Sequence, residues 1–351
     1  MDADLLLKAA VALAPVLALL FVYDRLDVFN LIDAKAILGL LIAGGAMAAL
    51  SFLANWRVMD GFPIGFSAYS RYIAPPIEEA IKALPIVALF AFNRLGFKLD
   101  AMIAAFAVGA GFSVVENLWY LQTYGGANVS AWMVRGFGTA IMHGGATALF
   151  ALISHELTER QSEARAERYR FNPLLFIPGL AVATVIHSAF NHFPERPLIS
   201  LAATLLLIPT SLFWALVRSD AATQRWLKAD ADAHRQTLAD IREGRFAASE
   251  IGQAVQGIVA RLRGATAADG LAYVELKTEL VLRAEELILA SQSGAAIETG
   301  AAEAEKFARL DALERTLGRA VVAAISTRVG FSRNDLWELG KLRARVRGAV
   351  S

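Results

Sequence analysis

Apolar residues run almost unbroken through seven stretches of the chain, approximately 5–23, 36–54, 72–92, 99–121, 132–154, 173–192 and 197–217. A helix needs about 20 mainly apolar residues to cross the hydrocarbon of a bilayer, so each stretch is read as a membrane span. The first follows Asp2 and Asp4, where a secretory signal would carry basic residues, and is expected to be a retained helix. The third to sixth contain ionisable residues and are therefore less hydropathic than the others.

After Val217 the pattern changes to a charged, alanine-rich sequence with apolar residues at helical spacing, among them Leu276, Leu280, Leu287, Phe307, Leu310, Leu313 and Leu317. Breaks are expected near Gly264 to Gly270 and Ser293 to Gly300, and Ser332 ahead of Asp335 reads as a helix N-cap. The fold class expected is all-α. A polytopic transmembrane bundle of about seven spans fills residues 1–217, and a soluble helical domain fills 218–351. That domain reads as a small bundle with solvated charged faces, the alternative being a coiled coil or a surface for a protein partner.

Composition sharpens this picture. The 351 residues are 56% hydrophobic with a mean hydropathy of +0.46, so part of the surface must face lipid. A net charge of +1 from 34 basic and 33 acidic residues offers no polyelectrolyte field for nucleic acid. Cysteine is absent, which excludes disulfides, thiolate metal sites and cysteine nucleophiles. Arg25, Lys35, Arg94, Lys98, Arg160, Arg165, Arg168, Arg170, Arg218 and Arg225 fall on one side of the expected spans. Lys8, Arg57, Arg71, Arg135 and Arg196 fall on the other. The richer side is expected to be cytoplasmic, which puts the N-terminus outside and the C-terminus inside a cell membrane.

The ionisable residues inside the spans carry the chemistry. In the third span Glu78 and Glu79 follow Pro75-Pro76, near the start of a helix whose N-terminus favours negative charge. Lys82 lies four residues after Glu78 and three after Glu79, so one ammonium can reach both carboxylates. The fourth span ends in Glu116-Asn117, the fifth carries His143, and the sixth carries His187 and Asn191 one turn apart. Burying Glu78, Glu79, Lys82 and Glu116 near a bilayer centre would cost on the order of 10 kcal/mol on insertion scales, so pairing and an aqueous cavity must offset it. In the expected topology all four helices present these groups in the outer half of the bilayer. Helix staples need not agree in depth, whereas a site must.

A carboxylate beside another in a low-dielectric site can act as a general base toward water near neutral pH. Histidine can orient that water, stabilise an oxyanion or bind a metal, and an amide such as that of Asn191 can donate to an oxyanion. This inventory fits amide hydrolysis. The spans hold no Gly-x-Ser-x-Gly elbow and the chain no His-Glu-x-x-His. Two readings from other classes remain: an ion- or proton-coupled transporter using these groups as a relay, and a membrane-anchored scaffold. Inverted repeats, which would support the first, are not evident in the sequence. His155 and His234 are expected on the solvated surface, with His192 at an interface. Trp119, Tyr120, Trp132 and Trp214 are expected in an aromatic belt, and Gly109, Gly111, Gly144 and Gly145 where helices approach closely.

The motifs Glu78-Glu79-x-x-Lys82, Glu116-Asn117, His143 and His187-x-x-x-Asn191 resemble those of the PrsW proteases, within the larger superfamily of CAAX- and bacteriocin-processing membrane proteases. The resemblance covers about residues 36–217. It implies an intramembrane endopeptidase acting on a membrane-bound protein, an anti-sigma factor in the best-known members. It also implies Glu79 as the water-activating base, tuned by Glu78 and Lys82, with His143 and His187 binding water or a metal and Asn191 supporting the oxyanion. For Glu116 three roles stay open: metal ligand, partner of a histidine, or ion pair with Lys82. So do two mechanisms, one with a zinc ion on His143, His187 and either Glu79 or Glu116, the other with glutamate and histidine alone. The long C-terminal extension departs from the small members of the family.

Overall fold

The computed structural model describes residues 34–61, 64–124, 134–165, 171–192, 197–261, 264–292 and 299–350, together with Ala14, Ala18 and Trp132. Among the described residues every regular element is a helix. They fall into two compact units, Met1–Glu159 with Phe171–Asp220, and Arg160–Arg170 with Ala221–Ser351.

The first unit is built from α1 (Ala34–Gly61), α2 (Ala74–Ala91), α3 (Lys98–Tyr124), α4 (Ala140–Arg165), α5 (Ile177–Asn191) and the start of α6 (Pro197–Arg242). Among the described residues four stretches are long and apolar enough to cross a membrane: Ala34–Gly61, Lys98–Thr123, Val134–Gln161 and Pro173–Asn191. Leu198–Trp214 is a shorter apolar stretch, and α2 carries Glu78, Glu79 and Lys82 within its 18 residues. The first expected span, 5–23, lies outside the described residues apart from Ala14 and Ala18.

α3 and α4 are central: 78% of the apolar window of each is buried, against 17% for α1. Small side chains make this possible. Ala101, Ala104, Ala105, Ala107 and Ala110 are all buried on α3, and α1 packs along it. A Cβ on Gly111 would stand 2.0 Å from the carbonyl oxygen of Leu41, so the two backbones touch only because no side chain intervenes. Gly109 does the same against the backbone of His143 and thereby sets the depth of that ring. Outward-facing Leu38, Ile42, Val185, Leu206 and Phe213 are exposed, as lipid-facing side chains should be.

The second unit comprises the end of α6 with α7 (Glu250–Val259), α8 (Ala267–Gln292), α9 (Ala301–Leu317), α10 (Arg319–Val329) and α11 (Arg333–Val350). α8 packs on α7, α9 and α11. The expected core positions Leu276, Leu280, Leu287, Phe307, Leu310 and Leu317 are buried together, with Leu313 packed partly against them. The Ser332 cap is also present. Its hydroxyl accepts from the Asp335 amide at 3.1 Å while an Asp335 oxygen accepts from the Ser332 amide at 2.7 Å, a reciprocal capping box.

Three sequence expectations are corrected. His155 is fully buried, its Nε2 3.0 Å from the Gly96 carbonyl oxygen, because the bundle folds the 93–98 turn over it. His234 is drawn inward by Glu285, 2.8 Å from its Nδ1. Trp132 is buried against Leu121 and Tyr120 rather than set in a belt, while Trp119 and Trp214 are exposed.

Candidate active site

The site begins with a defect in a helix. Pro75 and Pro76 have no amide hydrogen to donate, and the chain enters α2 through a π-helical turn, Tyr69–Ile73, in which the Ala74 amide bonds to Tyr69 five residues back. The carbonyls of Ser70 and Arg71 therefore lose their helical donors. α5 replaces them: Asn191 Nδ2 donates to Ser70 O at 2.9 Å and Ser188 Oγ to Arg71 O at 2.6 Å. The start of α2, with its two glutamates, is thus fastened to the end of α5, which carries His187.

One turn further on, Glu79 and Lys82 are both buried. Glu79 Oε1 accepts from Lys82 Nζ at 2.5 Å and from His187 Nδ1 at 2.7 Å. Lys82 Nζ also lies 2.7 Å from His143 Nδ1. An ammonium only donates, so this ring nitrogen accepts and the proton of a neutral His143 sits on Nε2. That nitrogen faces Glu116 Oε2 at 2.9 Å. Glu116 Oε1 is in turn 3.6 Å from the Arg135 guanidinium, which lies 3.5 Å over the Tyr120 ring. His187, Glu79, Lys82, His143, Glu116 and Arg135 form one continuous chain. Each buried acid has a cation or an imidazole beside it, which is how charge survives in a low dielectric.

Glu78 points elsewhere. Its Oε1 accepts from Asn55 Nδ2 at 2.9 Å, and Asn55 is held by the Tyr69 hydroxyl at 2.8 Å. Its Oε2 stands 3.7 Å from His187 Nε2. Glu78, Glu116, His143, His187 and Asn191 all line a cavity of about 740 Å³, whose apolar walls include Trp56, Phe66 and Phe190. Glu79 and Lys82 are not among its lining residues.

Glu79, His143 and His187 each offer a donor atom within 4.8 Å of the others. Two imidazoles and a carboxylate are the donor types of an open catalytic zinc site, so the residues fit a metal in type and spacing. Lys82 already engages Glu79 and His143, so a metal bound there must displace its ammonium. Glu116, the other third ligand considered from sequence, instead holds the far nitrogen of His143 and pairs with Arg135. It does not pair with Lys82, whose ammonium goes to Glu79 and His143.

Glu78, Glu79, Lys82, Glu116, His143, His187 and Asn191 thus gather in one place. Sequence reasoning missed Asn55, Tyr69 and Ser188, and counted Arg135 only as a loop charge. Asn55 and Tyr69 fall between the expected spans 36–54 and 72–92, where polar residues carry no signal, although Asn55 is in fact still within α1. Pro75-Pro76 was the usable clue, since two missing donors require partners from elsewhere.

A family model described as PrsW family intramembrane metalloprotease matches residues 30–217, more than half of the 351-residue chain. No curated protein and no solved structure matches the chain.

Proposed function

Because the chain belongs to the PrsW family of intramembrane metalloproteases, we propose that it hydrolyses a peptide bond of a membrane-associated protein, an anti-sigma factor being one candidate, in the cavity lined by Glu78, His143 and His187. The observation that carries this reading is the convergence of a carboxylate and two imidazoles on one cavity with apolar walls. Such walls suit an extended segment of a membrane-bound substrate.

The expectation from the family motif gave the base to Glu79. The geometry favours Glu78, because Glu79 is committed to Lys82 and His187 while Glu78 lines the cavity. A water bonded to Glu78 Oε2 and His187 Nε2 can bridge the 3.7 Å between them. Glu78 takes a proton from that water as its oxygen bonds to the scissile carbonyl carbon. The C–N bond then breaks, and Glu78 returns the proton to the leaving nitrogen. Asn191 has a second amide hydrogen beyond the one given to Ser70 and stands at the cavity, where it can support the oxyanion. Zinc, held by Glu79, His143 and His187, would lower the pKa of a bound water and polarise the carbonyl. Glu116 orients His143, a positioning role.

The test is a membrane-anchored reporter cleaved in cells. Glu78→Gln should abolish cleavage while the protein remains inserted. Wild-type cleavage by Glu78→Gln with none by Glu79→Gln would return the base to Glu79. Loss of neither would overturn the hydrolytic reading. We also propose the topology read from the loop charges: a reporter fused after Val217 should read as cytoplasmic and one inserted near Gly125 as external. Reversed labelling would move the site to the cytoplasmic half.

A further inference from the structure

The second unit buries a polar cluster inside an otherwise leucine-rich core. Asp230 and His234 stand one turn apart on α6, Glu285 reaches them from α8, and Asp335 comes from the first turn of α11. One donor atom from each lies within 4.8 Å of the others. His234 Nδ1 is 2.8 Å from Glu285 Oε1, and its Nε2 is 3.8 Å from Asp335 Oδ2. An imidazole between two carboxylates could by itself be a plain structural network.

The surplus of negative charge argues for more. Glu338, one turn after Asp335 on α11, is fully buried, and neither of its oxygens has a hydrogen-bond partner. The charges that bear on it are those of Glu285, Asp335 and Asp230, all of its own sign. Glu285 Oε2 and Asp230 Oδ2 are likewise buried without a partner. Native proteins rarely leave buried acceptors unsatisfied, and a group of them on facing helices needs a donor or a cation. Lys277, on the same helix as Glu285, directs its ammonium to Tyr273 and Ser326. Burial and the neighbouring Asp335 carboxylate hold Asp230 up at about 7, and burial also raises Glu285 and Glu338.

We infer that Asp230, His234, Glu285 and Asp335 form a binding site for a divalent transition-metal ion, with Glu338 supplying further negative charge beside it. The ligand chemistry sets the class. Carboxylates suit manganese and magnesium, whereas an imidazole among them favours a transition metal such as manganese, iron or zinc. Interiors of helical bundles house such sites by pointing acids and a histidine inward from facing helices. Asp230 and His234 are only partly buried, which leaves a route from solvent.

The probe is Mn²⁺ added to the full-length protein in detergent, wild type against Glu285→Gln. Comparing the two cancels any ion held by the membrane cluster. Wild type should retain about one more Mn²⁺ per chain after gel filtration, in keeping with a single four-donor site, and Mn²⁺ should raise its melting midpoint. Glu285→Gln should bind at least about tenfold more weakly. Circular dichroism checks that the variant keeps its helices. If it does not, Glu338→Gln takes its place, since it removes charge from behind the site without removing a ligand and should also weaken binding. Equal Mn²⁺ retention by wild type and the folded variant, or no effect of Mn²⁺ on either, overturns the site.

Discussion

Two clusters of buried acids sit in this chain, and they are balanced differently. In the membrane unit Glu79 has Lys82 and His187 against it, and Glu116 has His143 and Arg135. In the second unit Glu285 and Asp335 flank His234, Asp230 and Glu338 stand with them, and four oxygens of these acids are buried without a hydrogen-bond partner. The difference follows from solvent. Inside a bilayer an uncompensated charge costs several kcal/mol during insertion itself, so the counter-charge must be covalently part of the bundle. The cluster of the second unit, two of whose members are only partly buried, can keep protons or take an ion from water. Lys82 is therefore a built-in cation, while the cluster of the second unit is arranged to receive one.

The largest expected effect is on turnover. Glu78→Gln should lower reporter cleavage by at least about 10²-fold, with His143→Ala and His187→Ala also severe and His234→Ala without effect on the rate. Equal losses for all three histidine variants would mean that folding rather than chemistry is being read.

Next comes the counter-charge. Lys82→Met leaves Glu79 buried and unpaired with any cation, and should destabilise the detergent-solubilised protein by about 3–5 kcal/mol. An unchanged melting midpoint would show that Lys82 is not what balances Glu79. Gly111→Ala should follow at about 1–3 kcal/mol, because the new methyl meets the Leu41 carbonyl. Gly340→Ala, which meets nothing within 4 Å, should instead stabilise by about 0.5–1 kcal/mol through helix propensity. A like response at both positions would remove the case for close backbone contact between α1 and α3.

The cluster of the second unit should respond with the opposite sign to Lys82→Met. In chelator, Glu338→Gln should raise the melting midpoint, by about 1 kcal/mol in stability, since an amide replaces a buried acid with no donor. The pH dependence has a definite direction. Asp230 is raised to about 7, chiefly by burial, so the folded state binds its proton more tightly than the unfolded chain. Burial by itself would lower His234, but its bond to Glu285 and the surrounding carboxylates outweigh that and raise it as well. The Asp230 contribution is full below about 4 and lost by about 7, while that of His234 stays full to its ordinary range and is lost only above it. The chelated protein should therefore melt at lower temperature as pH climbs from about 4 to 7, and its melting temperature should continue to fall above that. A flat or rising profile would mean that the cluster is neutralised by something other than protons.

Much of the membrane site was legible because lipid makes ionisable residues conspicuous. Glu78, Glu79, Lys82, Glu116, His143 and His187 interrupt apolar runs, and nothing in an ordinary span explains them. The cluster of the second unit was illegible for the converse reason. Asp230, Glu285, Asp335 and Glu338 stand among many charged residues at helical spacing, and nothing local separates an inward acid from a solvated one. His234 was misread on the same ground.

The sequence alone determined that the chain is helical, that its first part enters a membrane, and which groups that membrane must shelter, because hydropathy and the cost of buried charge are local properties of the residues. Only the tertiary structure decided how those groups divide their work. Glu78 and Glu79 are neighbours in sequence and differ by about 100° around α2, so packing alone turns one to the cavity and the other to Lys82 and His187. The same packing brought Asp230, Glu285 and Glu338 together from three helices, a proximity that no spacing along the chain could encode.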